Sequence, residues 1–266
     1  MKLRALLVFL VLWFPTLGSA QECGEVEPCP LGDRSYHFKV PDGWDGTTPM
    51  PVLLHFHGWA RTGALPVKHQ RISGHTRRRG VLLLAPNGMH KTWDFWEGRG
   101  RDVDFAAAVI EDAAKRFPID RSQIFISGYS YGAAMAWRYA CENGNDVAAV
   151  LAISGTIPQD EECLHAPRQV RHVHGLKDNV LDFPFGPNGD QTFPVYLWRN
   201  LFGCTDATET SNWNVREFLT FARTEWHSCS EDHSVILDVH SGGHFIPHGW
   251  IGWQLDQLLG RTPSYP

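Results

Sequence analysis

Short, continuous apolar runs recur along this chain and limit its fold more than any other feature. "VLLHF" (Val52 to Phe56), "VLLLAP" (Val81 to Pro86), Ile124-Phe125-Ile126, "VAAVLAIS" (Val147 to Ser154), "QVRHVHG" (Gln169 to Gly175) and "SVILDVH" (Ser234 to His240) all read as strands. A strand with one wet face alternates apolar and polar residues, whereas an unbroken run is buried on both faces. Between them, residues 66–79 are expected to hold a helix. "DFAAAVIEDAAKRF" sets Ala106, Val109, Ile110, Ala113 and Phe117 on one helical face. Arg34 to Val40 alternates enough for an edge strand. Strands alternating with helices predict an α/β class, with a mostly parallel central sheet, right-handed crossovers and helices on both faces. The chain of 266 residues has no internal repeat or low-complexity linker, so one domain over residues 21–266 is expected.

The first twenty residues, "MKLRALLVFLVLWFPTLGSA", read as a secretory leader. Lys2 and Arg4 charge its start, Ala5 to Phe14 form an apolar core too short to span a bilayer, and Gly18-Ser19-Ala20 offers a cleavage site. Secretion to the periplasm or the extracellular space is therefore expected, with no later membrane segment. Loss of residues 1–20 removes two basic and no acidic residues, moving the formal charge from −5 to −7. That balance argues against a nucleic-acid partner. "RRR" (Arg77 to Arg79) is the only basic run, expected at the solvated end of a helix. Six cysteines remain: Cys23, Cys29, Cys141, Cys163, Cys204 and Cys229. An even count behind a leader reads as disulfides, of which the most local pairing is 23–29, 141–163 and 204–229 among fifteen arrangements.

Within "IFISGYSYGAAMAWRYA" (Ile124 to Ala140), Ser130 sits between Gly128 and Gly132, after a strand-like run and before a helix-favouring one. This fits G-x-S-x-G, in which serine occupies a strained strand-to-helix turn. A serine hydroxyl is a poor nucleophile until a histidine takes its proton, and that histidine needs a carboxylate to fix its tautomer. On a doubly wound sheet the partners follow later strands in the order Ser, Asp, His. "RHVHGLKDNV" delivers Asp178, with Asp182 as runner-up. "DVHSGGHFIP" delivers His244, with His248 as runner-up and Gly242-Gly243 expected to let the ring turn inward. Oxyanion donors are expected from the backbone N–H of Tyr131 and, in "HFHGWARTG", from that of Trp59, with Gly58 allowing a sharp turn. The His57 side chain itself reads as a core or turn histidine.

The pairs His55/His57 and His172/His174 have strand spacing that could hold zinc, but no acidic or cysteine pattern completes them, and neither metal nor cofactor is expected. In "KTWDFWEGRG" (Lys91 to Gly100), Trp93 and Trp96 are candidates for the cleft mouth, with packing of surface loops as the alternative. Trp213, in "SNWNV" between Cys204 and Cys229, is expected in a disulfide-tied loop that acts as a lid.

Together "HGW", "GYSYG", "HGLKD" and "GGH", with "FPIDRSQIFISGYSYG" and the cysteine placement, resemble the secreted esterases grouped with polyhydroxybutyrate depolymerases and feruloyl esterases. The resemblance covers most of the chain beyond the leader and implies the α/β-hydrolase fold. It implies Ser130 as nucleophile, Asp178 as acid and His244 as base, and it favours the local disulfide pairing. Three features depart from the pattern. Tyr131 stands where this group often has Gln, Trp59 is bulky for the oxyanion loop and is expected to narrow the acyl site, and no polymer-binding module follows. Soluble or polysaccharide-linked esters are therefore expected over solid polyester, feruloyl, acetyl and short hydroxyalkanoate esters among them. Two competing readings are a non-catalytic carbohydrate-binding module on the same fold and a secreted serine peptidase. Oligomeric state is open at this level.

Overall fold

The structure is a computed structural model that describes residues 23–96, 100–158, 162–181, 193–206 and 209–265. The expected leader, residues 1–20, lies outside them. In chain order the first half runs β1 (Cys29–Leu31), β2 (Arg34–Lys39), β3 (Met50–Phe56), α1 (Ala64–Lys68), α2 (Ser73–Arg78), β4 (Leu82–Pro86), α3 (Arg101–Arg116) and β5 (Ile119–Tyr129). The second half continues α4 (Tyr131–Asn143), β6 (Ala149–Ile153), β7 (Gln169–Gly175), α5 (Phe193–Leu201), β8 (Glu209–Val215), β9 (Leu219–Trp226), β10 (Ser234–His240) and α6 (Trp250–Leu258).

The strands form one sheet in the order β1-β2-β4-β3-β5-β6-β7-β10-β9-β8. From β4 to β10 all neighbours are parallel, while β1, β2, β9 and β8 pair antiparallel at the two edges. The unbroken apolar runs are the parallel centre. Because side chains alternate across a strand, each run feeds two cores. Val52, Leu54 and Phe56 of β3, with Ile124 and Ile126 of β5, join Val109 of α3 and Met135 of α4 on one face. Leu53, Phe125 and Leu151 join Val67, Ile251 and Leu255 on the other. The three disulfides join Cys23 to Cys29, Cys141 to Cys163 and Cys204 to Cys229.

Several local expectations are corrected. Strand β2 is not the edge, because β1 pairs outside it. Residues 66–79 hold two short helices with a break between Lys68 and Ser73. Helix α3 starts at Arg101, placing Asp102 and Asp104 in its first turn, where the helix dipole favours negative charge. Arg79 is not solvated. Its guanidinium is buried and meets both carboxylate oxygens of Asp256 on α6 at 2.8 Å. The segment expected to be a lid is the β8–β9 hairpin, which extends the sheet edge.

Candidate active site

The β5–α4 connection is a single residue. Ser130 has φ 57° and ψ −121°, a left-handed conformation that costs a non-glycine residue on the order of 1–3 kcal/mol. Close packing holds it there. A Cβ on Gly128 would stand 2.0 Å from the Gly132 carbonyl oxygen, and one on Gly132 would stand 2.0 Å from that of Phe56. Behind the turn, Gly155 leaves room for Ala133 and for the Ser130 carbonyl. The Ser130 N–H donates to the Ile153 carbonyl of β6 at 2.9 Å. The two glycines of the motif are thus required by proximity.

Strands β7 and β10 are parallel neighbours, so their C-terminal loops emerge side by side. The loops are tied together by Leu176 N–H to His240 C=O at 2.8 Å and Lys177 N–H to Gly242 C=O at 2.9 Å. The glycine that this closeness requires is Gly175, where a Cβ would meet the Gly242 and Gly243 carbonyl oxygens at 2.4 and 2.5 Å. Gly242 and Gly243 themselves do not adopt positive φ, so backbone freedom is not their contribution. Across the joined loops His244 Nδ1 donates to Asp178 Oδ2 at 2.6 Å. The other Asp178 oxygen accepts the N–H groups of Val180 and Leu181 at 3.0 and 2.9 Å. Burial pushes the Asp178 carboxyl upward, but the hydrogen bonds from Leu181, His244 and Val180 outweigh it and hold the group below the usual carboxylate range. His248 has a different setting, its ring edge-on to Phe218. Asp182 lies outside the described residues.

Tyr129, directly before Ser130, carries its hydroxyl to the His244 carbonyl at 3.0 Å, with the two rings 4.9 Å apart. Burial, reinforced by the Asp178 charge, raises this phenol to about 12, so it remains a donor. Nothing in the sequence pattern marked Tyr129. Its signal was adjacency to Ser130, and only the sheet order brings it to His244.

The loop after β3 is braced by His57. Its Nε2 accepts the Gly88 N–H at 3.1 Å, so Nδ1 carries the proton and donates to the Gly58 carbonyl at 2.8 Å. Burial lowers this ring to about 4. The His57 carbonyl takes the Trp93 indole N–H at 2.7 Å. The Gly58 Cα stands beside the turn, such that a Cβ there would lie 3.8 Å from the Ser130 Cβ. Its φ is not positive, so it is this approach and not a sharp turn that explains the glycine. Among the described residues no backbone carbonyl takes the N–H of Trp59 or that of Tyr131.

A cavity of about 330 Å³ opens beside Ser130, walled by Phe95, Trp96, Ala134, Ile157 and Leu181. Of the tryptophans expected at the site, Trp96 is 60% exposed and borders it, whereas Trp93 is buried edge-on to Phe56 and supports the β3 loop from behind. Trp59 does not narrow this cavity, and its 66% exposed ring borders a neighbouring pocket instead. Trp213 is buried in the second core, stacked on Phe221 and Trp253, with its indole N–H on the Asp238 carboxylate at 2.9 Å. A substrate-lining role for it is thereby replaced by a packing one. The paired histidines have protein partners as well. His55 Nδ1 contacts Ser127 Oγ at 3.0 Å, and His172 Nε2 contacts His174 Nδ1 at 3.3 Å.

A phospholipase/carboxylesterase family model matches residues 103–212. The chain is 26% identical over 225 residues to a probable feruloyl esterase C of Aspergillus niger, covering 80% of this chain and 77% of that one. It is 27% identical over 226 residues to feruloyl esterase C of Emericella nidulans, again over 80% and 77%. In fold it is similar to an acetyl xylan esterase from Aspergillus awamori, with a TM-score of 0.63 at 15% identity over 85% and 94% of the two chains.

Proposed function

From the premise that this chain is a feruloyl-esterase-like α/β hydrolase and a carboxylic ester hydrolase, we propose that Ser130, His244 and Asp178 act as its nucleophile, base and acid on soluble or polysaccharide-linked esters. The carrying observation is the strained Ser130 turn, which borders an apolar cavity and whose neighbour Tyr129 hydrogen-bonds the His244 that Asp178 holds. Ser130 Oγ attacks the ester carbonyl while His244 takes its proton. Asp178 holds the ring with its proton on Nδ1 and stabilises the imidazolium. Negative charge develops on the carbonyl oxygen, facing the N–H groups of Tyr131 and Trp59. Collapse expels the alcohol with the His244 proton and leaves an acyl-serine. Water, deprotonated by His244, then releases the acid and regenerates Ser130.

The cavity walls suit a planar or short apolar acyl group, since Phe95, Ile157 and Leu181 offer it no hydrogen-bond partner. Relatives named for feruloyl esters support an aromatic acyl group there. Residues 21–266 would form one catalytic unit behind the leader. Three disulfides agree with an oxidising compartment, and no described helix is long and apolar enough to cross a membrane. The test is hydrolysis of methyl ferulate and short p-nitrophenyl esters by the protein and by Ser130→Ala. Loss of kcat by about 10⁴-fold or more in the variant is expected. Unchanged turnover in Ser130→Ala would overturn the assignment.

A further inference from the structure

The N–H groups that steady Asp178 Oδ1 belong to Val180 and Leu181, and both residues also line the acyl cavity. The start of their loop is tied down by the N–H groups of Leu176 and Lys177, and by that of Asp178, which donates to the Gly175 carbonyl at 3.1 Å. The far end is held by His174 of β7, whose Nε2 meets the Leu181 carbonyl at 2.9 Å. The same nitrogen stands 3.4 Å from Asp178 Oδ2, the oxygen that His244 uses. A carbonyl and a carboxylate only accept, so Nε2 carries the ring's proton. Burial outweighs both contacts and lowers this ring, which is therefore neutral. Its Nδ1 faces His172 Nε2 at 3.3 Å.

We propose that His174 is a positioning residue of the ester-cleaving site, setting both the Asp178 carboxylate and the Leu181 wall of the acyl cavity through its hydrogen bond to the Leu181 carbonyl. The inference rests on the esterase reading above. The His174 side chain is fully buried, and a buried polar ring is costly unless its polar atoms have partners. Here the protonated nitrogen finds them on the loop that carries the acid. A neutral donor steadies the carboxylate without supplying a second cation, so Asp178 keeps its charge for His244.

Without the bond to Leu181 the end of the loop is released, and the Val180 and Leu181 N–H groups leave Asp178 Oδ1. The carboxylate then loses its fixed orientation toward His244, and the cavity wall moves with it. Acid placement and acyl selectivity are thus properties of one loop, and His174 sets both.

The test compares p-nitrophenyl acetate with p-nitrophenyl hexanoate in His174→Gln and His174→Asn. Glutamine places an amide N–H₂ near the position of Nε2, whereas asparagine is one methylene too short to reach Leu181. The Asn variant is expected to lose kcat on both esters by about tenfold and to lower the hexanoate-to-acetate ratio of kcat/KM by about threefold, while the Gln variant retains most of both. In a Leu181→Ala background the same Asn change should still lower kcat but leave the ratio unmoved, because the wall is already gone. Equal losses in the two variants, normal kcat in a folded Asn variant, or a ratio that still falls in that background would overturn the proposal. His174→Phe, which fills the site without a donor, replaces an insoluble Asn variant. If the wild-type protein hydrolyses neither ester, the esterase reading itself fails, and the coupling is decided by proton NMR. The His244 Nδ1–H signal, assigned by its absence in His244→Ala, should shift in His174→Asn and return in His174→Gln. An unshifted signal refutes the coupling.

Discussion

The hydroxyl of Tyr129 donates to the carbonyl of His244 at 3.0 Å across 115 positions of sequence. The residue before the proposed nucleophile therefore holds the backbone of the proposed base. Tyr129→Phe keeps the ring contact and removes one hydrogen bond, worth about 1 kcal/mol. The expected outcome is a kcat lowered about fivefold, with KM and the melting temperature little changed. A KM effect in place of a kcat effect would assign Tyr129 to substrate binding instead.

Asp178→Asn tests the pairing with His244. An amide in place of the carboxylate presents its N–H₂ or its neutral oxygen to Nδ1 and no longer stabilises the imidazolium. Turnover should fall on the order of 10³–10⁴-fold while the protein stays folded. Near-normal kcat in a folded variant would mean that another acid serves His244.

Gly132→Ala should be far more damaging than its one added methyl suggests. The new Cβ would lie 2.0 Å from the Phe56 carbonyl oxygen, so β3 and α4 must separate. Destabilisation above about 4 kcal/mol is expected, seen as insoluble protein or a sharply lowered melting temperature. A soluble variant melting near wild type would show that the helix can retreat.

Acid should weaken the fold through its buried histidines. Burial lowers His55 and His75 to about 3 and His57 and His240 to about 4, whereas in the unfolded chain such rings titrate near 6.5, about the ordinary value. Below that pH the unfolded state binds protons that the folded state refuses, so stability is full above it and falls as pH drops toward the folded values. The slope is on the order of 1 kcal/mol per pH unit for each such ring. Urea melts from about pH 7 to about pH 5 would read it, and a constant midpoint would contradict it.

Asp238 anchors the far end of the sheet. It is buried, meets Arg223 through both oxygens at 2.8 Å, and accepts the indole N–H groups of Trp213 and Trp250. Asp238→Ala leaves a buried guanidinium and two indoles without their acceptor, a loss of about 3–5 kcal/mol. Chemical denaturation measures it, and a cost under about 1 kcal/mol would show that Glu225 and Gln254 take over Arg223.

The parallel centre of the sheet was legible because burial on both faces writes unbroken apolar runs into β3, β4 and β6. Ser130, Asp178 and His244 were legible for a similar reason: each follows such a run, and a single sheet order brings their loops to one rim. The tryptophans were not. Trp93, Trp96 and Trp213 have the same local chemistry, and tertiary structure alone separates them: the indole N–H of Trp93 reaches the His57 carbonyl and that of Trp213 the Asp238 carboxylate, whereas Trp96 stays exposed as a cavity wall. Arg79 was misjudged for the same reason, since its partner Asp256 lies 177 positions away. The β8–β9 hairpin hid because "ETSNWNV" is polar and its pairing is set by a neighbour strand.

The strand whose C-terminal loop carries His244 is the last of the sheet in chain order, yet it lies inside it, between β7 and β9. During synthesis the serine turn and the aspartate loop can thus be completed while the base does not yet exist. A ribosome-bound or truncated chain ending before β10 would hold the proposed nucleophile without its proposed base. On the proposed assignment, a site built from all three residues waits for β10 and the loop that follows it.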